Sequence, residues 1–193
     1  MSRPATQHDR SSGATKAAAC LRVVGLGNPY AGDDSVGLEI VNRLRARGDC
    51  ECELLALPQA GVELVEALEN VEAVLFIDAV SSGSPAGTLH LVPLPSGEVA
   101  PRLLASLSSH GWGLAETLKL MEALGRPIPR LAVLGVEIGT VGPGAPRSPA
   151  VEAAMSTVVN RFPAVYAFLA AAEKTGWAGP LRFPPGDALL AGL

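Results

Sequence analysis

The chain predicts an α/β fold: a three-layer sandwich with a twisted, mainly parallel central sheet and helices on both faces. Strand-like and helix-like segments alternate from about Leu21 to Lys174, the order that repeated βα units produce. The strongest strand candidates, LRVVGLG, VEAVLFIDAV and LAVLGVEI, read as buried, nearly continuous apolar runs. With 193 residues, 48% of them hydrophobic, the chain is long enough for one domain with a real core. Aromatics supply only 4%, so Val, Leu, Ala and Ile must build that core.

The elements follow in order. Residues 1–20, MSRPATQHDRSSGATKAAAC, are polar and lack an apolar h-region, so they read as a disordered tail and not a secretory signal. That expectation places the chain in the cytoplasm. A single α/β domain is expected over 21–174. LRVVGLG is its first strand. Val36, Ile40, Val41 and Leu44 then repeat at helical spacing between about Ser35 and Arg47, with Gly48 as the stop. CELLALP (52–58) is a second strand and GVELVEAL (61–68) a short helix. VEAVLFIDAV (71–80) is the strongest strand. SSGSPAG turns the chain into TLHLVPL (88–94), which alternates like a strand.

GLAETLKLMEALG (113–125) is amphipathic, with Leu114, Leu118, Met121 and Leu124 on one side. LAVLGVEI (131–138) is a further strand, followed by the glycine- and proline-rich GTVGPGAPR. Ser148 as N-cap and Pro149 at the first helical position open a long helix to about Lys174. Its inner set is Val151, Val158, Val159, Phe162, Val165, Phe168 and Leu169. Pro163 lies inside it and is expected to kink or split it. Residues 175–193 form a Pro/Gly-rich, irregular arm.

Charge and cysteine usage narrow the function. A net charge of −4 gives no general attraction for nucleic acid. No apolar stretch reaches the roughly 18 residues of a membrane span. Three cysteines, an odd number with no secretory signal, argue for ordinary thiols and against a disulfide framework. Cys50 and Cys52 alternate at strand spacing, but no second Cys pair completes a four-ligand metal site.

In a parallel sheet, sites form outside the carboxyl ends of the strands. The informative stretches are therefore Gly25 to Asp34, Pro58 to Gly61, Asp78 to Ser82, and Glu137 onward. Residues 23–37, VVGLGNPYAGDDSVG, approach a phosphate-binding turn but depart from it. G-x-G-x-x-G would be needed; the chain has G-L-G-N-P-Y, with Gly32 one residue late. Asp33 and Asp34 also stand at the start of the next helix, where a phosphate would sit and where two acids repel it. One of them is expected to N-cap the helix. The other is then available to face a cation.

Asp78 ends the most apolar strand, where a charge is costly unless paired or bound to metal; the plain structural reading is an Asx turn into SSGSPAG. His110 lies in SLSSHGWGL, before the amphipathic helix, a place where a lone histidine is more often structural. His8 lies in the tail, and His90, inside a strand, reads as structural. Together Asp34, Asp78 and His110 offer two carboxylates and an imidazole. That set suits a divalent first-row metal such as nickel, zinc or manganese, and three ligands leave coordination positions open. A nucleophilic triad has less support: Ser81, Ser82, Ser108 and Ser109 have no G-x-S-x-G elbow, and no Cys lies near a base.

GLGNPYAGDDSVG, FIDAVSSGSPAGTLHL and SSHGWGLAETLKLMEALG resemble, in order, the three signature blocks of the hydrogenase maturation proteases. The likeness runs from about Leu21 to Phe168. These endopeptidases trim the C-terminal extension of the large subunit of [NiFe] hydrogenases. The resemblance implies a twisted sheet between helices. It also implies a site formed by Asp34, Asp78 and His110, meeting nickel already installed in the substrate and not a cofactor of the protease's own. It implies hydrolysis by water, polarised by the metal or by a carboxylate base, with no acyl-enzyme. Gly27, Asn28 and the amides of the glycine turn would steady the scissile segment or the oxyanion, and Gln59 would supply a polar contact to substrate. The family usually has Gly at the position of Ser35, and often a Gly-rich segment where this chain has Pro58-Gln59-Ala60-Gly61.

Two other classes stay open on the sequence. VVGLGNP also resembles the opening of peptidyl-tRNA hydrolase, an esterase. That family continues with Thr-Arg-His-Asn, where this chain has Tyr-Ala-Gly-Asp-Asp-Ser. A non-catalytic α/β ligand-binding module is the second.

Overall fold

The apolar runs become strands β1 (Ala19–Leu26), β2 (Glu53–Leu57), β3 (Val71–Val80), β4 (Leu89–Leu94), β5 (Arg130–Glu137) and β6 (Leu181–Phe183). Between them lie a 3₁₀ turn (Gly32–Ser35) and helices α1 (Val36–Arg47), α2 (Glu63–Leu68), α3 (Leu114–Ala123) and α4 (Pro149–Thr175). The structure, a computed structural model, describes residues 19–58, 61–94, 114–175 and 181–183. Within them the strands form one sheet in the order β2-β1-β3-β5-β4-β6. β2, β1, β3 and β5 run parallel. β4 runs antiparallel to β5 and to β6, because the short 81–88 connection leaves no length for a crossover helix.

The two-residue alternation of the strands divides the core. Leu75, Ile77 and Ala79 of β3 face the layer of α1 and α4, with Ile40, Leu44, Met155 and Phe162. Val74, Phe76 and Val80 face the opposite layer of α2 and α3, with Leu64, Leu68, Leu118 and Met121. Both faces of the sheet are thus covered, which is why the central strands are apolar without interruption.

One close approach positions the site. The first turn of α1 lies directly on the ends of β1 and β3. A Cβ on Gly37 would fall within 3.0 Å of the carbonyl oxygens of Ile77 and Leu26, and one on Gly25 within 3.0 Å of Gly37 O. Two glycines facing each other let the helix start sit against the strand ends, and Asp34 comes with it.

Several expectations need correction. Pro163 does not split α4, which runs unbroken from Pro149 to Thr175. Proline cannot donate to the carbonyl four residues earlier, and here the Arg47 guanidinium donates to that carbonyl, Val159 O. Leu124, expected on the inner face, is 56% exposed, since α3 ends at Ala123 and the chain then turns away. Cys50 and Cys52, expected as ordinary thiols, form a disulfide against the α1 and α4 side of the core; the chain bends there, before β2 begins, and brings their Cα atoms to 5.3 Å. The C-terminal arm is not wholly irregular, since Leu181–Phe183 adds an antiparallel edge strand. Among the described residues, no helix is long and apolar enough to cross a membrane.

Candidate active site

The site sits where β1 and β3 end. After Leu26 the chain reverses through Gly27, whose φ of 146° suits glycine; a Cβ there would strike the Asp34 carbonyl. The loop is closed by its own hydrogen bonds. The Asn28 amide donates to Asp34 O at 3.2 Å, Ala31 N to Asn28 O at 3.3 Å, and Asp34 N to Ala31 O at 3.3 Å. The Asn28 side-chain oxygen accepts the Tyr30 amide at 3.0 Å. Ser35 donates its hydroxyl to Gly32 O at 2.7 Å. The turn delivers Asp34, 4% exposed, to the entrance of α1.

Asp78 is 2% exposed. It is not the last residue of its strand: it pairs with Gly135 inside the β3–β5 ladder, which continues to Val80. Its Oδ1 accepts the Ala79 amide at 2.8 Å. Burial pushes the Asp78 carboxyl up to about 8; the Ala79 amide opposes that shift and the neighbouring charge of Asp34 adds to it. At neutral pH, Asp78 is therefore mostly protonated.

The expected helix cap takes another form. The 3₁₀ turn places both acids inside the first turn, while Ala31 and Ser35 occupy the cap positions without side-chain capping bonds. Asp33 instead reaches across the molecule. Its Oδ2 accepts Gly139 N at 2.9 Å and Thr140 N at 2.8 Å, and its Oδ1 accepts Ser148 N at 2.6 Å. Burial alone would raise this carboxyl, but the amides of Thr140, Ser148 and Gly139 together hold it below the usual range. Asp33 thus ties the loop after β5, and the start of α4, to the glycine turn.

Glu137 performs the matching task on the other side. It is buried at the end of β5. Its Oε1 accepts the amides of Ser82, Gly83 and Ser84 at 2.7, 2.8 and 3.1 Å. Its Oε2 accepts the Ser82 hydroxyl at 2.7 Å and lies 3.2 Å from His90 Nε2. Burial opposes ionisation here too, and the Ser82 hydroxyl with the three amides outweighs it. The loop that follows Asp78 is anchored this way. The sequence marked the position but not this role, although a lone acid ending an apolar strand is the signal that singled out Asp78.

Asp34 lies near enough to Asp78 for its charge to act on the Asp78 carboxyl. His110 and Gln59 lie outside the described residues. Among the described residues no group of three or more His, Cys, Asp or Glu side chains forms a metal-holding cluster. Of the anticipated glycine-turn donors, the amides of Asn28, Tyr30, Ala31, Asp33 and Asp34 are already engaged within the protein.

Comparison with known proteins sets this geometry in a family. The family described as "HycI: Hydrogenase maturation protease" matches residues 38–163. The chain is similar to the Hydrogenase 2 maturation protease of Escherichia coli K12: 30% identity over 159 residues, covering 81% of this chain and 92% of that one. Its fold is similar to the hydrogenase maturating endopeptidase HybD from E. coli, with a TM-score of 0.63 at 25% identity over 86% of this chain and 97% of that one. It is also similar in fold to the [NiFe] hydrogenase maturation protease HybD from Thermococcus kodakarensis, with a TM-score of 0.59 at 23% identity over 78% and 99% of the two chains. The esterase and binding-module alternatives give way to these findings, and the chain belongs to the hydrogenase maturation protease family, a family of endopeptidases.

Proposed function

We propose that this endopeptidase removes the C-terminal extension of a [NiFe] hydrogenase large-subunit precursor once nickel is installed, and that it reads the nickel the substrate carries. The observation that supports this reading is the pair of buried acids, Asp34 in the turn before α1 and Asp78 near the carboxyl end of β3, near enough for the charge of one to act on the other. A cation arriving between them relieves both their mutual repulsion and the cost of ionising buried Asp78. His110, from the following segment, is the third donor by resemblance to the family. Two carboxylates and an imidazole suit a borderline ion such as nickel.

In this reading the nickel belongs to the substrate, so cleavage waits for metal insertion. The scissile bond is held beside the metal, and water attacks it, polarised by the nickel or deprotonated by one of the carboxylates. No acyl-enzyme forms. With the nearby amides engaged, the Asn28 side-chain NH₂ is the donor we assign to the oxyanion. Gly27 lets the substrate-facing turn close against the Asp34 carbonyl, and Gln59 contacts the substrate.

The test is the cleavage of a nickel-loaded precursor by Asp34→Asn and His110→Ala, followed by intact mass. Each variant is expected to keep its far-ultraviolet circular dichroism and to lose about 10²–10⁴-fold in rate. Cutting at the wild-type rate by either one removes that residue from the mechanism.

A further inference from the structure

Beside Asp34 the surface opens into a groove of about 670 Å³. Tyr30 and Ser35 of the glycine turn, Leu38 and Glu39 of α1, Pro58 after β2, and Arg147 before α4 contribute to its walls. Its volume falls in the range of sites that enclose ligands of drug size, enough for a few residues of extended peptide. Gly32 and Ser35, the two ends of the 3₁₀ turn that carries Asp34, line it, so the groove runs along the outside of that turn. Tyr30, 80% exposed, stands on its wall. An aromatic ring left in water beside a catalytic turn is the kind of side chain that anchors a partner chain.

The charges around the groove are not equally engaged. Arg43 holds Glu39 at 3.0 Å and Glu152 at 2.7 Å. Arg147 touches the same two acids only at 3.6 and 3.8 Å, and Ser35 Oγ at 3.5 Å. Both carboxylates are thus already bonded by Arg43, and Arg147 is the loosely held member. Its guanidinium is the group with bonding capacity to spare, and a planar fork of donors recognises a carboxylate best.

We propose that this groove seats the precursor segment adjoining the scissile bond, and that Arg147 selects an acidic side chain in that segment. This rests on the endopeptidase reading above and adds the feature that fixes the substrate's register. Peptide lying along the groove meets Tyr30 and Leu38 with its apolar atoms. Its acid draws Arg147 away from the long contacts to Glu39 and Glu152, which keep Arg43.

The experiment measures kcat and KM for a nickel-loaded large-subunit precursor with wild type, Arg147→Lys, Arg147→Ala and Arg147→Glu, after thermal melts establish that each variant is folded. The Ala variant is expected to raise KM by about ten- to a hundredfold, more than it changes kcat, with Lys intermediate. Replacing one acidic residue near the cleavage site of the precursor with Lys should restore the Glu variant and impair the wild type. A benzoylphenylalanine in place of exposed Tyr30 should crosslink to that same segment, a readout that survives if the Arg147 variants fail to fold. If wild type cuts the precursor while KM is unmoved, no acidic position matters, or the crosslink falls elsewhere, the groove assignment is wrong and the endopeptidase reading stands. If wild type leaves a nickel-loaded precursor uncut, both fall.

Discussion

Asp78→Asn is expected to fold, to cut the precursor at least about 10²-fold more slowly, and to gain in stability on the wild type as pH rises from 3.8 to about 8. The substitution keeps the size of the side chain and the oxygen that accepts the Ala79 amide, but it removes the ionisable group. In the wild type the folded-state pKa, about 8, lies above the ordinary 3.8. Between those values the folded protein keeps a proton that the unfolded chain has released. The stability from that proton is complete below the lower value. It is lost as pH rises through the window, at up to about 1.4 kcal/mol per pH unit, and the loss levels off above the folded pKa. Asn has no such slope. Melting temperatures at closely spaced pH values test this directly: the gap between variant and wild type should widen with pH and then stop widening near the folded pKa. A constant gap would mean that Asp78 is ionised in the folded protein throughout. Activity should move the other way, falling by about 10²–10⁴-fold or more, because a neutral amide is a poor ligand and no base.

Gly37→Ala is expected to destabilise strongly, against the sign that helix propensity predicts. In a solvent-exposed helix interior this change stabilises by about 1 kcal/mol. Here the added methyl has no room beneath it, for it meets the Ile77 and Leu26 carbonyl oxygens of the sheet. Helix α1 must lift off the strand ends, at a cost of about 3 kcal/mol or more once overpacking and lost burial combine. The same displacement carries Asp34 away from Asp78, so any folded fraction should cleave poorly. Urea denaturation of the variant gives the answer. A stability equal to or above that of the wild type would show that the helix does not rest on the strands as described.

Much of this was legible from the sequence, for identifiable reasons. The strands and α1 could be read because burial on both faces leaves apolar runs and helical spacing with little noise. Val36, Ile40, Val41 and Leu44 are indeed all buried. Asp34 and Asp78 could be paired because parallel strands bring their carboxyl ends to one side of the sheet. What escaped depends on partners far along the chain. A local cap is what the sequence leads one to expect of one acid of the pair, yet the partners of Asp33 lie 106 to 115 residues away. Glu137 anchors a loop more than fifty residues earlier, and no local pattern announces that. Pro163 was judged by its missing N–H alone, without the Arg47 side chain that meets the vacated carbonyl. A three-residue edge strand such as β6 is too short to stand out from the Pro/Gly-rich segment around it.

The central claim is that the metal carried by the substrate licenses the cut. Its most direct test is the intact mass of a hydrogenase large-subunit precursor incubated with this protein, once nickel-loaded and once nickel-free. Loss of a C-terminal peptide from the loaded sample alone is the predicted result. Equal cleavage of both samples, or none of a loaded precursor that its own protease does cut, would contradict it.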